Sequence, residues 1–170
     1  MTSTIKVDTI QNSSGTTGIS INSNGVITTP AKPMFKAKGA ENITLTNNTL
    51  TTVQFNSTEF DVGGYFNTST YRYTPLVAGK YFIYAKLYLT YATEEIEFMH
   101  FYLNKNGSGT AFYSRYASTG SIYGSVSVSS IVDMNGSSDY LDTSIRVTTT
   151  TNSKYYANDI YGEFSGFLIS

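Results

Sequence analysis

The chain has no cysteine and no tryptophan, a single histidine, three prolines and few charges. Each shortage excludes something. Without cysteine there is neither a disulfide framework nor thiol chemistry. One imidazole, His100, removes most zinc-site and histidine-based catalytic constellations. Serines are abundant, but no nucleophile elbow surrounds any of them, and paired carboxylates of the glycosidase kind leave no readable spacing. No enzymatic activity is expected. Charged residues make up 14% of the chain, where roughly a quarter is usual. The net charge of −1 offers no phosphate-binding face, so no nucleic-acid partner is expected. No hydrophobic run is long enough to span a bilayer, and no membrane insertion is expected. The opening MTSTIKVDTIQNSSG lacks a basic region followed by an apolar core, so it does not read as a secretory signal.

What is present is aromatic and polar at once. Fifteen tyrosines and ten phenylalanines sit among Thr, Ser, Asn and Gly, with little Ala, Leu or Glu. Tyr, Phe and Thr suit a pleated surface, and the good helix formers are scarce, so the chain reads as all-β. At 170 residues it has room for one domain and a short appendage.

The most informative stretch is Gly63 to Tyr91, GGYFNTSTYRYTPLVAGKYFIYAKLYLTY. A Gly-Gly turn leads to Tyr65 and Phe66, and then to a polar turn at Asn67 to Thr70. Tyr71 to Thr74 reads as a short strand, which Pro75 ends because it has no amide proton to donate. Gly79 permits a sharp change of direction. Lys80 to Tyr91 reads as one long strand that is large and apolar on both faces. Ile83, Ala85, Leu87 and Leu89 lie on one side, and Phe82, Tyr84 and Tyr88 on the other. A strand of that kind is covered twice. With little helix signal, the second cover is either another sheet or another subunit.

Residues 1–33 differ from the rest. Short alternating pieces (Ile5, Val7 and Ile10; Ile19 and Ile21; Val26 and Ile27) are separated by Ser-Ser-Gly and Asn-Ser-Asn-Gly turns. Each is too short to bury its apolar side alone. An ordered arm, in which three copies wrap one axis, is preferred over a disordered one. Pro30 to Pro33 reads as a stiff link to a globular part over residues 34–170. There, strands are expected at Leu50–Phe55, Glu59–Val62, Ile96–Leu103, Ala111–Tyr116, Ile122–Val132, Tyr140–Thr148 and Ile160–Ile169. Turns are expected at Asn104–Gly109 and Asp133–Ser138, and a polar loop at Thr149–Asp159.

The run YFNTSTYRYTPLVAGKYFIYAKLY, through Phe66, Thr68, Ser69, Tyr73, Pro75, Gly79 and Tyr81, resembles the central segment of the globular head of the complement C1q family. YLNKNG at Tyr102–Gly107 and the closing FSGFLIS at Phe164–Ser170 fall in the family's order. The resemblance covers roughly residues 34 to 170. It implies a two-sheet jelly roll of the tumour-necrosis-factor type, assembled as a homotrimer. The collagen-like Gly-X-Y stalk common in animal members is absent. The segment STIKVDTIQN resembles the N-terminal module of bacteriophage tail-fibre-like proteins, which implies a virion protein, made in the host cytoplasm and held to other virion proteins by this arm.

The site candidates follow from that frame. Tyr81, Ile83, Tyr84, Leu87, Phe98, His100, Tyr102, Phe164 and Phe167 are candidates for the core or the trimer interface. His100, on the same strand face as Phe98 and Tyr102, reads as a hydrogen-bonded histidine in the sheet or between subunits, in preference to a metal ligand. The family's topology puts three loops at the apical end, away from the arm: Thr93–Glu95, Ser118–Ser121 and Thr149–Asp159. Glu94, Glu95, Lys154, Tyr155, Tyr156, Asn158 and Asp159 are the receptor-contact candidates, for a host-surface glycan or protein. An ordinary solvated loop weighs equally. Glu94, Glu95 and Glu97, or Asp133, Asp139 and Asp142, would hold Ca²⁺ only if three subunits brought carboxylates together, and no EF-hand spacing is present. Solvated turns are the preferred reading, and no cofactor is expected. The rival functions are a capsid decoration, head-fibre or collar protein, and a surface-polysaccharide depolymerase.

Overall fold

The structure is a computed structural model. It describes residues 5–39, 43–90, 96–116, 124–149, 153–156 and 161–170, the side chains of residues 90, 149 and 153–156 excepted. Every regular element among these residues is a strand. They are β1 (Thr9–Gln11), β2 (Thr17–Ile21), β3 (Ile27–Thr28), β4 (Met34–Lys38), β5 (Ile43–Leu45), β6 (Thr51–Thr52), β7 (Ser57–Val62) and β8 (Phe66–Asn67), followed by β9 (Arg72–Tyr73), β10 (Ala78–Thr90), β11 (Ile96–Lys105) and β12 (Ser108–Tyr116), and finally β13 (Gly124–Asn135), β14 (Leu141–Thr149), β15 (Ser153–Tyr156) and β16 (Glu163–Leu168). With no helix among the described residues, none is long and apolar enough to cross a membrane.

β1, β2 and β3 form a small antiparallel meander of their own. Of the expected alternating pieces, Ile10, Ile19, Ile21 and Ile27 therefore lie on strands, while Ile5, Val7 and Val26 lie just outside them. Asn12 and Asn22 close the two turns, each accepting backbone N–H bonds on its side-chain oxygen. Ile5, Val7, Ile10, Val26 and Ile27 remain exposed.

The rest of the chain makes two antiparallel sheets. In the first, β10 pairs along one edge with β13 and along the other with β16 and then β15. β4 and β5 continue beside β16 and β15, and β7 closes the edge beside β4. In the second, β11 lies between β12 and β14, with β6 and β9 against β14 and β8 against β9. One core fills the space between the sheets. Strand alternation supplies it from both sides: Tyr81, Ile83, Ala85, Leu87 and Leu89 from β10 face Met99, Phe101 and Leu103 from β11, all fully buried. Phe35 stacks on Tyr73 with centroids 3.9 Å apart and meets Phe164 edge-on at 5.0 Å.

The all-β, two-sheet jelly roll is as expected. Several boundaries are not. Thr149–Asp159 contains a strand, β15, hydrogen-bonded on both edges, to β10 and to β5. Its polar spelling, SKYY, hides that role, and neighbouring strands supply what periodicity did not. β5 was not anticipated at all. The Leu50–Phe55 strand shrinks to Thr51–Thr52; Val53 and Phe55 instead drop into the core, and Val53 N–H donates to the Thr143 carbonyl at 2.9 Å. The Asn104–Gly109 turn contracts to Asn106–Gly107, and the Asp133–Ser138 turn begins only after Asn135.

Gly79 has φ of +147°, and a Cβ there would collide with the Ser170 carbonyl oxygen. The last residue lies against the start of β10, where Lys80 N–H donates to Ser170 O at 2.9 Å. Leu168 N–H donates to Pro33 O at 3.0 Å. The link from the arm and the final strand therefore meet at one end of the sandwich. The strand ends flanking residues 91–95, 117–123 and 150–152 lie at the other end: Leu89 is opposite both Gly124 and Tyr155, Ile96 opposite Thr149, and Phe98 opposite Tyr116.

Candidate binding surfaces

The structure divides the core and interface candidates into three groups. Tyr81, Ile83, Leu87 and Phe164 are fully buried between the sheets. The Tyr81 hydroxyl donates to the Val77 carbonyl at 2.8 Å, and burial, with Tyr65 nearby, pushes its pKa up to about 12. Tyr84 and Phe167 lie on the outer face of the first sheet. Phe98, His100 and Tyr102 lie on the outer face of the second, on the far side of the sandwich. These last three therefore share no face with Tyr84 and Phe167.

The outer face of the first sheet carries an apolar row across five strands. Strand register aligns Ile131, Phe82, Phe167, Met34 and Val62 in order. Ile131 is 61% exposed and Phe167 48%, with Phe60 beside them at 43%. The next row, Ser129, Tyr84, Ser165, Lys36 and Phe60, is mixed. A hollow of about 330 Å³ opens between Met34, Phe60, Phe82 and Phe167, with the Lys32 and Lys36 stems at its rim. Of this face the sequence singles out only Phe82, Tyr84, Tyr88 and Phe167. Ile131, Phe60 and Met34 needed the register, because each belongs to a different strand.

The outer face of the second sheet carries rings as well, but they surround polar groups. His100 meets Phe98 edge-on at 4.4 Å, Tyr102 at 5.4 Å and Phe112 at 5.7 Å. The Tyr102 hydroxyl lies 2.7 Å from His100 Nδ1, and Arg146 Nη2 approaches the same nitrogen at 3.4 Å. A guanidinium only donates, so Nδ1 is the acceptor and the proton sits on Nε2. Burial, and then the Arg146 charge, hold His100 below the usual histidine pKa. The histidine is thus a neutral, hydrogen-bonded member of the sheet face. Phe112 and Tyr116, exposed on the edge strand β12, extend the aromatic surface.

Beside Tyr102, Asn104 donates both amide hydrogens, to Asp142 Oδ1 at 2.9 Å and to Ser144 Oγ at 3.0 Å. Arg72 Nε reaches the other Asp142 oxygen at 3.4 Å and stacks its guanidinium over Tyr140 at 3.9 Å.

The acidic groups are engaged separately. Asp133 pairs with Lys80 at 2.7 Å, and Asp142 with Arg72. Asp139 accepts from Lys105 at 2.8 Å and from Asn106 and Asn135 N–H, and these bonds hold its carboxyl below the usual range. Among the described residues no three acidic or histidine side chains gather as a metal site would require.

Of the receptor-contact candidates, Glu94, Glu95, Asn158 and Asp159 lie outside the described residues. Lys154, Tyr155 and Tyr156 lie on β15, opposite Thr90, Leu89 and Tyr88 respectively, at the end of the sandwich away from the arm.

No family model matches the chain, and no curated protein matches its sequence. Solved structures do match its architecture. Murine APRIL at pH 8.0 aligns with a TM-score of 0.62 at 12% identity, covering 81% of this chain and 99% of that one. APRIL at pH 8.5 gives a TM-score of 0.61 with the same identity and coverage. Eiger TNF from S. frugiperda gives a TM-score of 0.55 at 9% identity, covering 82% of this chain and 92% of that one. The chain has a tumour-necrosis-factor-like jelly roll. At such low identities the likeness speaks for the fold alone, and it agrees with the architecture implied by the C1q-like segment.

Proposed function

We propose that this chain is a trimeric bacteriophage virion protein, anchored by its N-terminal arm and presenting its jelly-roll head to the host surface, where it acts by binding and without chemistry. The observation that carries the assembly is the apolar row Ile131, Phe82, Phe167, Met34 and Val62. A continuous apolar band on an exposed sheet face is the kind of surface that a partner covers. The near-neutral chain adds little repulsion between copies. The exposed Ile5, Val7, Ile10, Val26 and Ile27 of the arm call for cover in the same way. The tail-fibre-like wording of that arm supports a place on a virus particle. The link at Pro33 enters at one end of the sandwich, which leaves the end bearing β15 to point outward. Three linked copies would let weak single contacts add up to firm attachment.

The first test is the mass in solution, by light scattering, of the full chain and of a version starting at Met34. Three chains per particle in both is expected, with the head as the trimerising unit. A monomer in both removes the cover from the apolar row, and the reading falls with it. Host attachment is then tested by competition: purified trimer should reduce adsorption of the virus that encodes it, and substitution of Lys154, Tyr155 and Tyr156 should abolish that effect.

A further inference from the structure

A recess of about 170 Å³ opens on the outer face of the second sheet, away from both the apolar row and the strand ends at the apical side. It is lined by Leu50, Tyr102, Asn104, Ser144 and Arg146, together with the glycines Gly107 and Gly109. The volume is too small for a drug-sized ligand, which takes at least about 300 Å³, but it suits one ring.

The unmet chemistry of these residues is specific. Asn104 is 8% exposed and Ser144 4%. Asn104 spends both N–H groups on Asp142 and Ser144, and no donor from a described residue meets its Oδ1. That oxygen lies toward Gly109, 4.0 Å from where a Cβ would stand. That oxygen is open to the recess and can accept from a hydroxyl or amine of a ligand in place of water. Ser144 Oγ already accepts from Asn104, which leaves its own O–H to donate. Arg146 makes no ion pair with a carboxylate among the described residues; Asp142, farther along the same strand, is engaged by Arg72 and Asn104. Its guanidinium offers paired donors suited to a carboxylate. The Tyr102 ring is held by His100 on its hydroxyl and by Phe112 at 6.0 Å, and so presents a fixed apolar wall. One small ring that carries hydroxyls, an apolar face and a carboxylate meets all four demands.

We propose that this recess is a binding site for a single acidic sugar residue of the hexuronic type. The carboxylate meets Arg146, a ring hydroxyl donates to Asn104 Oδ1, another accepts from Ser144, and the C–H face of the ring lies on Tyr102. Gly109 keeps the space open. Its backbone is one that any residue adopts, and a Cβ there would sit 3.5 Å from Tyr102 Cδ1, an ordinary contact, so a larger side chain fills the recess without straining the chain. The site depends neither on the particle to which the chain belongs nor on the apical loops.

The experiment is a titration of the isotope-labelled full chain with D-glucuronate and, separately, D-glucose, read by backbone amide shifts. Saturable shifts at Gly107, Gly109 and Ser144 are expected with glucuronate in the millimolar range, and binding about tenfold weaker with glucose, the loss that follows from giving up a charge-assisted pair. Arg146→Gln should bring glucuronate down to the level of glucose. Gly109→Val should abolish both, while its spectrum keeps the dispersion of the folded protein. No shifts at these amides, equal response to the two sugars, or a response untouched by Gly109→Val would each overturn the proposal. Should Gly109→Val not fold, Arg146→Gln, at a half-buried position on the sheet face, decides alone.

Discussion

Both outer faces of the sandwich are built with phenylalanine and tyrosine, yet they are different surfaces. On the first, rings from neighbouring strands fall in one row with Ile131, Met34 and Val62 and leave their edges to solvent. On the second, rings enclose a histidine, an arginine and a buried Asn–Asp–Ser cluster. Aromatic content alone does not say what a face is for. A ring beside aliphatic neighbours gains most from being covered, whereas a ring beside fixed donors and acceptors gains from a ligand that matches them. Register, more than composition, decides between the two.

That contrast can be broken from the core outward. The largest expected effect lies beneath both faces. Phe164→Ala and Tyr81→Ala should each cost about 2–5 kcal/mol in denaturant unfolding, as truncation of a fully buried large side chain does; unchanged melting in both would mean that the strand placement is wrong. The next effect separates the faces. Ile131→Asp puts a charge in the apolar row and should reduce the particle mass to that of one chain. Phe112→Asp, on the opposite sheet and as exposed, should leave the mass alone. Equal behaviour of the two variants would erase the distinction.

The smallest effect is one of pH. His100 has a lowered pKa in the folded chain, so the unfolded chain takes up its proton first. Its contribution is whole above the ordinary histidine value of about 6.5 and declines as pH falls from there toward the folded value. Burial and the Arg146 charge oppose the added proton, and Arg146 loses its acceptor at Nδ1, whereas the Tyr102 hydroxyl can turn to accept from it. A modest fall in melting temperature through that window, flattened by His100→Asn, is the expected record; a fall of the same size in His100→Asn would assign it to other groups.

How much of this was legible beforehand follows from what a single strand can display. β10 is legible, because alternation with large residues on both faces is a local property; the sequence separates its two sets, and the structure decides that Ile83, Ala85, Leu87 and Leu89 face inward. His100 was placed correctly with Phe98 and Tyr102 for the same reason. β15 reads as loop in the sequence because SKYY carries no aliphatic residue, and its pairing partners lie more than sixty residues away in sequence. The apolar row needed five strands in register before it existed. The recess at Tyr102 needs a turn glycine, a strand asparagine and a loop leucine brought together, and in the sequence Asn104 reads as part of a turn.

Asp139 sits where the turn at Asn106–Gly107 meets the turn that follows Asn135. Lys105 and Asn106 bind it from the β11–β12 hairpin and Asn135 from the crossover that carries the chain from β13 in the first sheet to β14 in the second, while Asn106 Oδ1 in turn accepts Tyr140 N–H at 3.0 Å. A hairpin and a crossover between the sheets, some thirty residues apart in the chain, are thereby made to open and close as one. In hydrogen exchange the amides of Asn135, Asp139 and Tyr140 should then share a single opening rate with that of Asn106, as one cooperative unit. In a chain without cysteine, one carboxylate takes the place of a crosslink, and its hold is set by protons and salt rather than by the redox state around it.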